Sequence, residues 1–219
     1  MGRLPANLGR SVVGVFHKDN LVPFLVGGAA TGVSSAFDDD VRRSVANPDS
    51  GFAKTLETAG GWPTSVLVGG LFTAGRFAHG QRFRDTSYDL LDAMVVNFGY
   101  TQLLKVTVRR ERPDGSNNAS FPSGHASNAF ALAAVAERHY GCKAGVPAYV
   151  VAAAIGYSRI VRDKHYLSDV VAGATLGYIV GRTVVRVNGR PLDAAHVAAF
   201  RVSPIVGRRV WGMQIAFSH

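Results

Sequence analysis

Residues 21–37, 58–75, 144–158 and 170–181 of this 219-residue chain, runs of 17, 18, 15 and 12, carry no charged side chain. Between them charge is crowded, as in SRIVRDKHYLSDVVAG at 158–173. Uncharged runs of that length exceed an ordinary strand and suit helices buried around most of their circumference. A membrane-crossing helix needs about twenty apolar residues. The runs fall just short of that, and basic side chains at their ends are able to snorkel toward water. A bundle associated with a membrane is the expectation, and a water-soluble bundle with long buried helices is the alternative. Glycines four apart, at Gly28 and Gly32 and again at Gly173, Gly177 and Gly181, suit helices that cross at close range.

The remaining periodicity is also helical. Leu90, Leu91, Met94, Val95, Phe98, Leu103 and Leu104 recur at about the helical period within 85–109, and further helices are expected over 123–139, 145–161 and 166–187. ERPDGSNNASFPSG, between the first two of these, has the composition of a loop. The predicted fold is therefore all-α, a helical bundle of about six helices with a short irregular or strand-like C-terminal tail, in which RRVWGMQIAFSH alternates as a strand does. The expected division is an irregular basic arm over 1–18, a helical domain over 19–188 and a tail over 189–219.

Charge narrows the partners. With 24 Lys and Arg against 15 Asp and Glu, the formal net charge is +9, which favours an anionic substrate or surface. Nucleic acid is not the expected partner, since no basic stripe interleaved with aromatics and no known reading module is present. Cys142 is the only cysteine, excluding an internal disulfide and a thiolate zinc cluster. The first twenty residues offer only a short apolar patch broken by His17, Lys18 and Asp19, so no secretory signal is expected in them. Asp38, Asp39 and Asp40 are assigned to helix capping and the helix dipole rather than to a metal.

Three charged seams terminate the apolar helices. KVTVRRERP holds Lys105 and Arg112; FPSGHAS holds Ser123, Gly124 and His125; the third seam holds Arg159, His165 and Asp169. Each alone has an ordinary account, as a dipole-complementing helix end, an N-cap or a solvated loop. Together they supply three cationic side chains and the backbone N–H groups of a helix start, the requirements of a tetrahedral dianion. Two histidines add a nucleophile and an acid for phosphoryl transfer, and Asp169, four residues after His165, is spaced to orient that imidazole.

In this order, K-x6-R-P, P-S-G-H and S-R-x5-H-x3-D, the seams resemble the three-part signature of the type 2 phosphatidic acid phosphatase superfamily, which also includes bacterial class A acid phosphatases and vanadium-dependent haloperoxidases. Every specified position is filled: Lys105, Arg112 and Pro113; Pro122 to His125; Ser158, Arg159, His165 and Asp169. The resemblance implies that His165 is the nucleophile forming a phosphohistidine, that Asp169 orients it, and that His125 is the acid for the leaving group and then the base for water. It assigns Lys105, Arg112, Arg159, Ser123 and Gly124 to binding the phosphoryl oxygens. It also implies catalysis with no metal and no cofactor, a site at the cell membrane or in the periplasm facing the extracytoplasmic side, and a phosphorylated substrate. A lipid phosphate is favoured by the apolar helices. A broad-specificity periplasmic acid phosphatase or a phosphotransferase stands as the alternative, with a haloperoxidase or a non-enzymatic binder of anionic lipid behind it. Arg109 and Arg110, just outside the motif positions, read as solvated helix-end cations. Oligomeric state is not legible in the sequence.

Overall fold

The computed structural model describes residues 4–189, together with the backbone of 199–206 and 211–218. Among the described residues there are nine α-helices rather than about six: α1 (Leu4–Gly14), α2 (Leu21–Ser35), α3 (Asp38–Val45), α4 (Gly51–Ala59), α5 (Trp62–Phe77), α6 (Gln81–Val108), α7 (Gly124–Tyr140), α8 (Cys142–Val161) and α9 (Leu167–Val187). The additional helices are short or lie where composition suggested none. Residues 4–14 were expected to be irregular, yet they form a helix whose Ser11 is buried and which packs on α9 and α6. The uncharged run 58–75 is divided by Gly60 and Gly61, which end α4 and precede α5. In the tail, β1 (Ala199–Val206) and β2 (Trp211–Ser218) pair antiparallel, with Ala199 opposite Ser218 and Val206 opposite Trp211. Residues 190–198, 207–210 and 219 of that tail lie outside the described residues.

α9 is the central element and packs against α7, α2, α6, α1 and α8. Its Ile179, Val180, Val184 and Val185 form the main apolar core with Val15, Ala93, Val96 and Val135. The three glycines of α9 face α7. A Cβ at Gly173, Gly177 or Gly181 would run into the backbone carbonyl oxygens of Ser123, Ser127 and Ala131 respectively. These are main-chain atoms with no rotamer to yield, so the two axes approach as closely as the backbones permit. The pair in α2 behaves differently. Gly28 and Gly32 face open space, and it is Gly27 that seats against Thr175 of α9.

In α6 the apolar residues divide: Leu90 and Leu104 pack against the core, while Val95, Phe98 and Leu103 are exposed. The side turned to the bundle carries Thr86, Ser87, Asp89, Asp92, Asn97 and Thr101, all buried. Asn97 accepts from Ser127 Oγ at 2.6 Å and donates to Asn128 Oδ1 at 2.6 Å, joining α6 to α7 through polar contacts. Water would not favour this polarity, but a hydrocarbon surround would, since apolar side chains are at ease against lipid and polar ones are satisfied inside. Two helices, Cys142–Val161 and Leu167–Val187, are long and apolar enough to cross a membrane. A third span results if the pair Lys18–Ser35 and Asp38–Val45, bent by 66°, counts as one. These features fit a membrane protein.

Replacing Gly177 with Val is expected to destabilise the protein by at least the roughly 1–3 kcal/mol of ordinary overpacking, because a carbonyl cannot move aside. Gly28→Val, facing open space, is expected to change little. Thermal unfolding of both variants in detergent checks the contrast.

Candidate active site

The three seams meet where α6 ends, α7 begins and α8 turns into α9. The α6 helix ends with Arg109 in the left-handed region at φ 51°, its N–H bonded to Lys105 O. The chain then folds back through a compact loop, in which the Arg112 N–H donates to Asn117 O at 2.9 Å and the Ser120 N–H to Arg110 O at 2.9 Å. Lys105 is held from this loop, its Nζ donating to Ala119 O at 2.5 Å. Arg112 Nε donates to Asn117 Oδ1 at 2.9 Å.

The second seam is tied to the third through the main chain. Ser123, fully buried, donates its N–H to Asp169 O at 2.9 Å. Its hydroxyl makes no capping bond to α7 and has no hydrogen-bond partner among the described residues, so Ser123 differs from the N-cap its position suggested. An unengaged hydroxyl beside Gly124 and His125 is available to a phosphoryl oxygen. His125, in the first turn of α7, lies under the α4–α5 turn. A Cβ on Gly61 would stand 3.3 Å from His125 Nε2, and one on Gly60 3.4 Å from its Cδ2.

In the third seam Arg159 closes α8, and its carbonyl accepts from the N–H groups of Lys164 and His165 at 3.0 and 3.2 Å. Ser158 is buried, its hydroxyl donating back to Ile155 O. His165 is 2% exposed, with Nδ1 3.8 Å from Asp169 Oδ2. That separation is an ion-pair distance, longer than a hydrogen bond, because the carboxylate is already engaged. Asp169 Oδ2 accepts from Ser120 Oγ at 2.5 Å and the Tyr166 N–H at 2.9 Å, while Oδ1 accepts from Arg110 Nη1 at 2.8 Å.

Sequence reasoning passed over four contributors. Arg110, expected to be solvated, bonds Asp169, Ser168 and Asp38 and lies over the Tyr166 ring at 4.1 Å. Asp38 is buried, accepting from the Ser168 N–H at 2.8 Å and hydroxyl at 2.6 Å, so one member of the acidic triplet braces the third seam rather than only opening α3. Arg42 adds a two-pronged bond to Asp163, at 2.7 and 2.8 Å, and reaches Pro113 O. Glu57 of α4 pairs with both Arg159 and Arg162. No spacing in the sequence relates residues 38, 42 or 57 to the motifs; an uncancelled acidic residue inside or beside an apolar run was the available sign.

Electrostatics suit phosphoryl chemistry. Burial, reinforced by the charges of Arg159 and His165, pushes His125 down to about 4. Burial also pushes His165 down to about 4, with Arg159, Lys105 and Arg112 adding to it against the opposing pull of Asp169. Both imidazoles are therefore neutral near pH 7, and Arg159 and Arg112 act on each of them. Among the described residues no three His, Cys, Asp or Glu side chains converge to hold a metal ion.

Comparison with known proteins agrees with this arrangement. Residues 88–191 match the model of the PAP2 superfamily. The lipid A 1-phosphatase of Porphyromonas gingivalis is 41% identical over 91 residues, covering 40% of this chain and 20% of that protein. The decaprenylphosphoryl-5-phosphoribose phosphatase of Mycobacterium tuberculosis is 38% identical over 96 residues, covering 40% of this chain and 52% of that one. The chain thus spans between a fifth and about half the length of these curated relatives. Among solved structures, the transmembrane PAP2 type phosphatidylglycerolphosphate phosphatase from Bacillus subtilis superposes with a TM-score of 0.64 at 21% identity, over 84% of this chain and 98% of that one. Aquifex aeolicus LpxE superposes with a TM-score of 0.58 at 22% identity, over 68% of this chain and 95% of that one. These two establish the fold, and the segment that matches the PAP2 superfamily model contains every residue of the three seams.

Proposed function

We propose that this chain is a metal-independent phosphatase acting on lipid phosphates at a membrane surface, its site on the extracytoplasmic side. The observation that carries the reading is the meeting of buried His165 and half-buried His125, both neutral, with Lys105, Arg112 and Arg159 at one set of helix ends. His165, with Nδ1 toward Asp169, presents Nε2 to phosphorus. Its lone pair forms the N–P bond as the bond to the leaving oxygen breaks, and a proton from His125 goes to that oxygen. Water, deprotonated by His125, then attacks phosphorus, the N–P bond breaks, and phosphate leaves with His165 neutral again. Lys105, Arg112 and Arg159, with the Ser123 hydroxyl and the backbone at Gly124, offset the charge on the equatorial oxygens. A dianion in the pocket opposes the cations that depress His125, so binding itself restores the proton the leaving group needs.

The lipid preference rests on the exposed Val95, Phe98 and Leu103 of α6 and on Phe52 and Trp62, exposed at the starts of α4 and α5. Aromatic residues at the edge of an apolar belt suit a headgroup boundary.

Phosphate release in EDTA from detergent-dispersed phosphatidic acid is expected to exceed that from a water-soluble aryl phosphate, and His165→Ala is expected to abolish both. Equal or faster release from the soluble ester would favour the broad acid phosphatase. The pH profile gives a second check. A group whose pKa is lowered to about 4 stays nucleophilic down to that pH, so the acid limb of kcat/KM, corrected for substrate ionisation, is expected near 4 to 5. A limb near 6.5 would mean an unperturbed imidazole. Finally, Arg110→Gln is expected to destabilise the protein by about 3 kcal/mol, since it leaves two buried carboxylates short of a counter-charge. Adding Asp38→Asn is expected to recover part of the loss, as denaturant unfolding would report.

A further inference from the structure

Arg159 is the most buried cation of the pocket, with 4% of its side chain exposed, and it is already engaged: its Nη1 lies against Glu57 Oε1. The other oxygen of the same carboxylate, Oε2, accepts from Arg162 Nε at 2.9 Å. Glu57 stands one turn before Gly60 and Gly61, the residues whose backbone lies against the His125 ring. It is therefore part of the wall of the pocket and not a remote partner. Arg159 Nε is buried with no hydrogen-bond partner among the described residues, so its guanidinium keeps donor capacity that Glu57 does not use. Arg162 stands at an unspecified position of the third motif, and its carboxylate partner is shared, one oxygen to each arginine.

We propose that Glu57 is a displaceable counter-ion that competes with the phosphoryl group for Arg159, with Arg162 as the second seat that holds the carboxylate when Arg159 turns to the substrate. The idea rests on the phosphatase reading and deepens it. A carboxylate beside a phosphate-binding arginine opposes a dianion, and that opposition acts on product phosphate as it does on substrate. Glu57 is thus a positioning residue that sets how tightly the pocket holds phosphate and how readily it lets it go. Arg162 tempers the competition by drawing the carboxylate toward itself.

The two residues make opposite predictions, which a merely structural role does not. With the full-length protein in detergent, the inhibition constants of orthovanadate and inorganic phosphate are measured against aryl phosphate turnover. Glu57→Gln, which keeps the shape and removes the charge, is expected to lower both constants about tenfold, with KM falling alongside. Arg162→Gln, which leaves Glu57 to Arg159 alone, is expected to raise them by a similar factor. Glu57→Asp withdraws the carboxylate by one methylene and carries the same test should the glutamine variant not fold: both constants fall, by less. Unchanged or raised constants in the Glu57 variants, or lowered constants in Arg162→Gln, would overturn the proposal. A wild-type protein that neither turns over nor binds orthovanadate would overturn the phosphatase reading itself, a separate outcome.

Discussion

The close seating of α9 on α7 is the constraint from which the site follows. Gly173, Gly177 and Gly181 rest on the carbonyls of Ser123, Ser127 and Ala131, a register repeated at each turn. The first of those contacts lies at the start of both helices, and there the Ser123 N–H bonds Asp169 O. The backbone register of two helices thereby decides that the histidine opening α7 and the carboxylate opening α9 occupy one small volume. Side-chain packing of larger residues would allow the pair to slide; backbone contact does not.

Around that fixed point the charges are arranged in two shells of opposite sign. In the proposed site Lys105, Arg112 and Arg159 are the inner cations, while Asp169, Asp38 and Glu57 are the acidic partners around them, joined by Arg110 and Arg162. Asp169 illustrates the cost of such burial. Fully enclosed, it spends both oxygens on Ser120, Tyr166 and Arg110, and meets His165 only at 3.8 Å. It acts on the imidazole through charge more than through a direct bond. Lys164 and Asp114, bonded at 2.5 Å, tie the first seam's loop to the third on the solvent side.

The three seams were legible in the sequence because they are residue types at fixed spacing between Lys105 and Asp169, and the structure brings them to one set of helix ends. The all-helical class was legible from the uncharged runs. What escaped was whatever depends on direction. A 3.6-residue period marks the apolar residues of α6 but not which of them turn outward, as Val95, Phe98 and Leu103 do here. Gly28 and Gly32 show the same ambiguity, since spacing suggests a crossing that Gly27 makes instead. Arg110 and Asp38 are partners separated by 72 residues, and nothing local marks either as buried. Short helices such as α1 and α4 have too few turns for periodicity to register.

The turn between α4 and α5 leaves its mark on how this site can vary. His125 is roofed by Gly60 and Gly61, where a side chain on Gly60 would strike Ile155 as well as the imidazole. A roof built of main chain has no side chain to exchange, so under the proposed lipid-phosphate reading a change of substrate has to come from the rim, through positions such as Phe52, Trp62 and the neighbours of Glu57. The reaction centre is insulated from the drift of its own specificity.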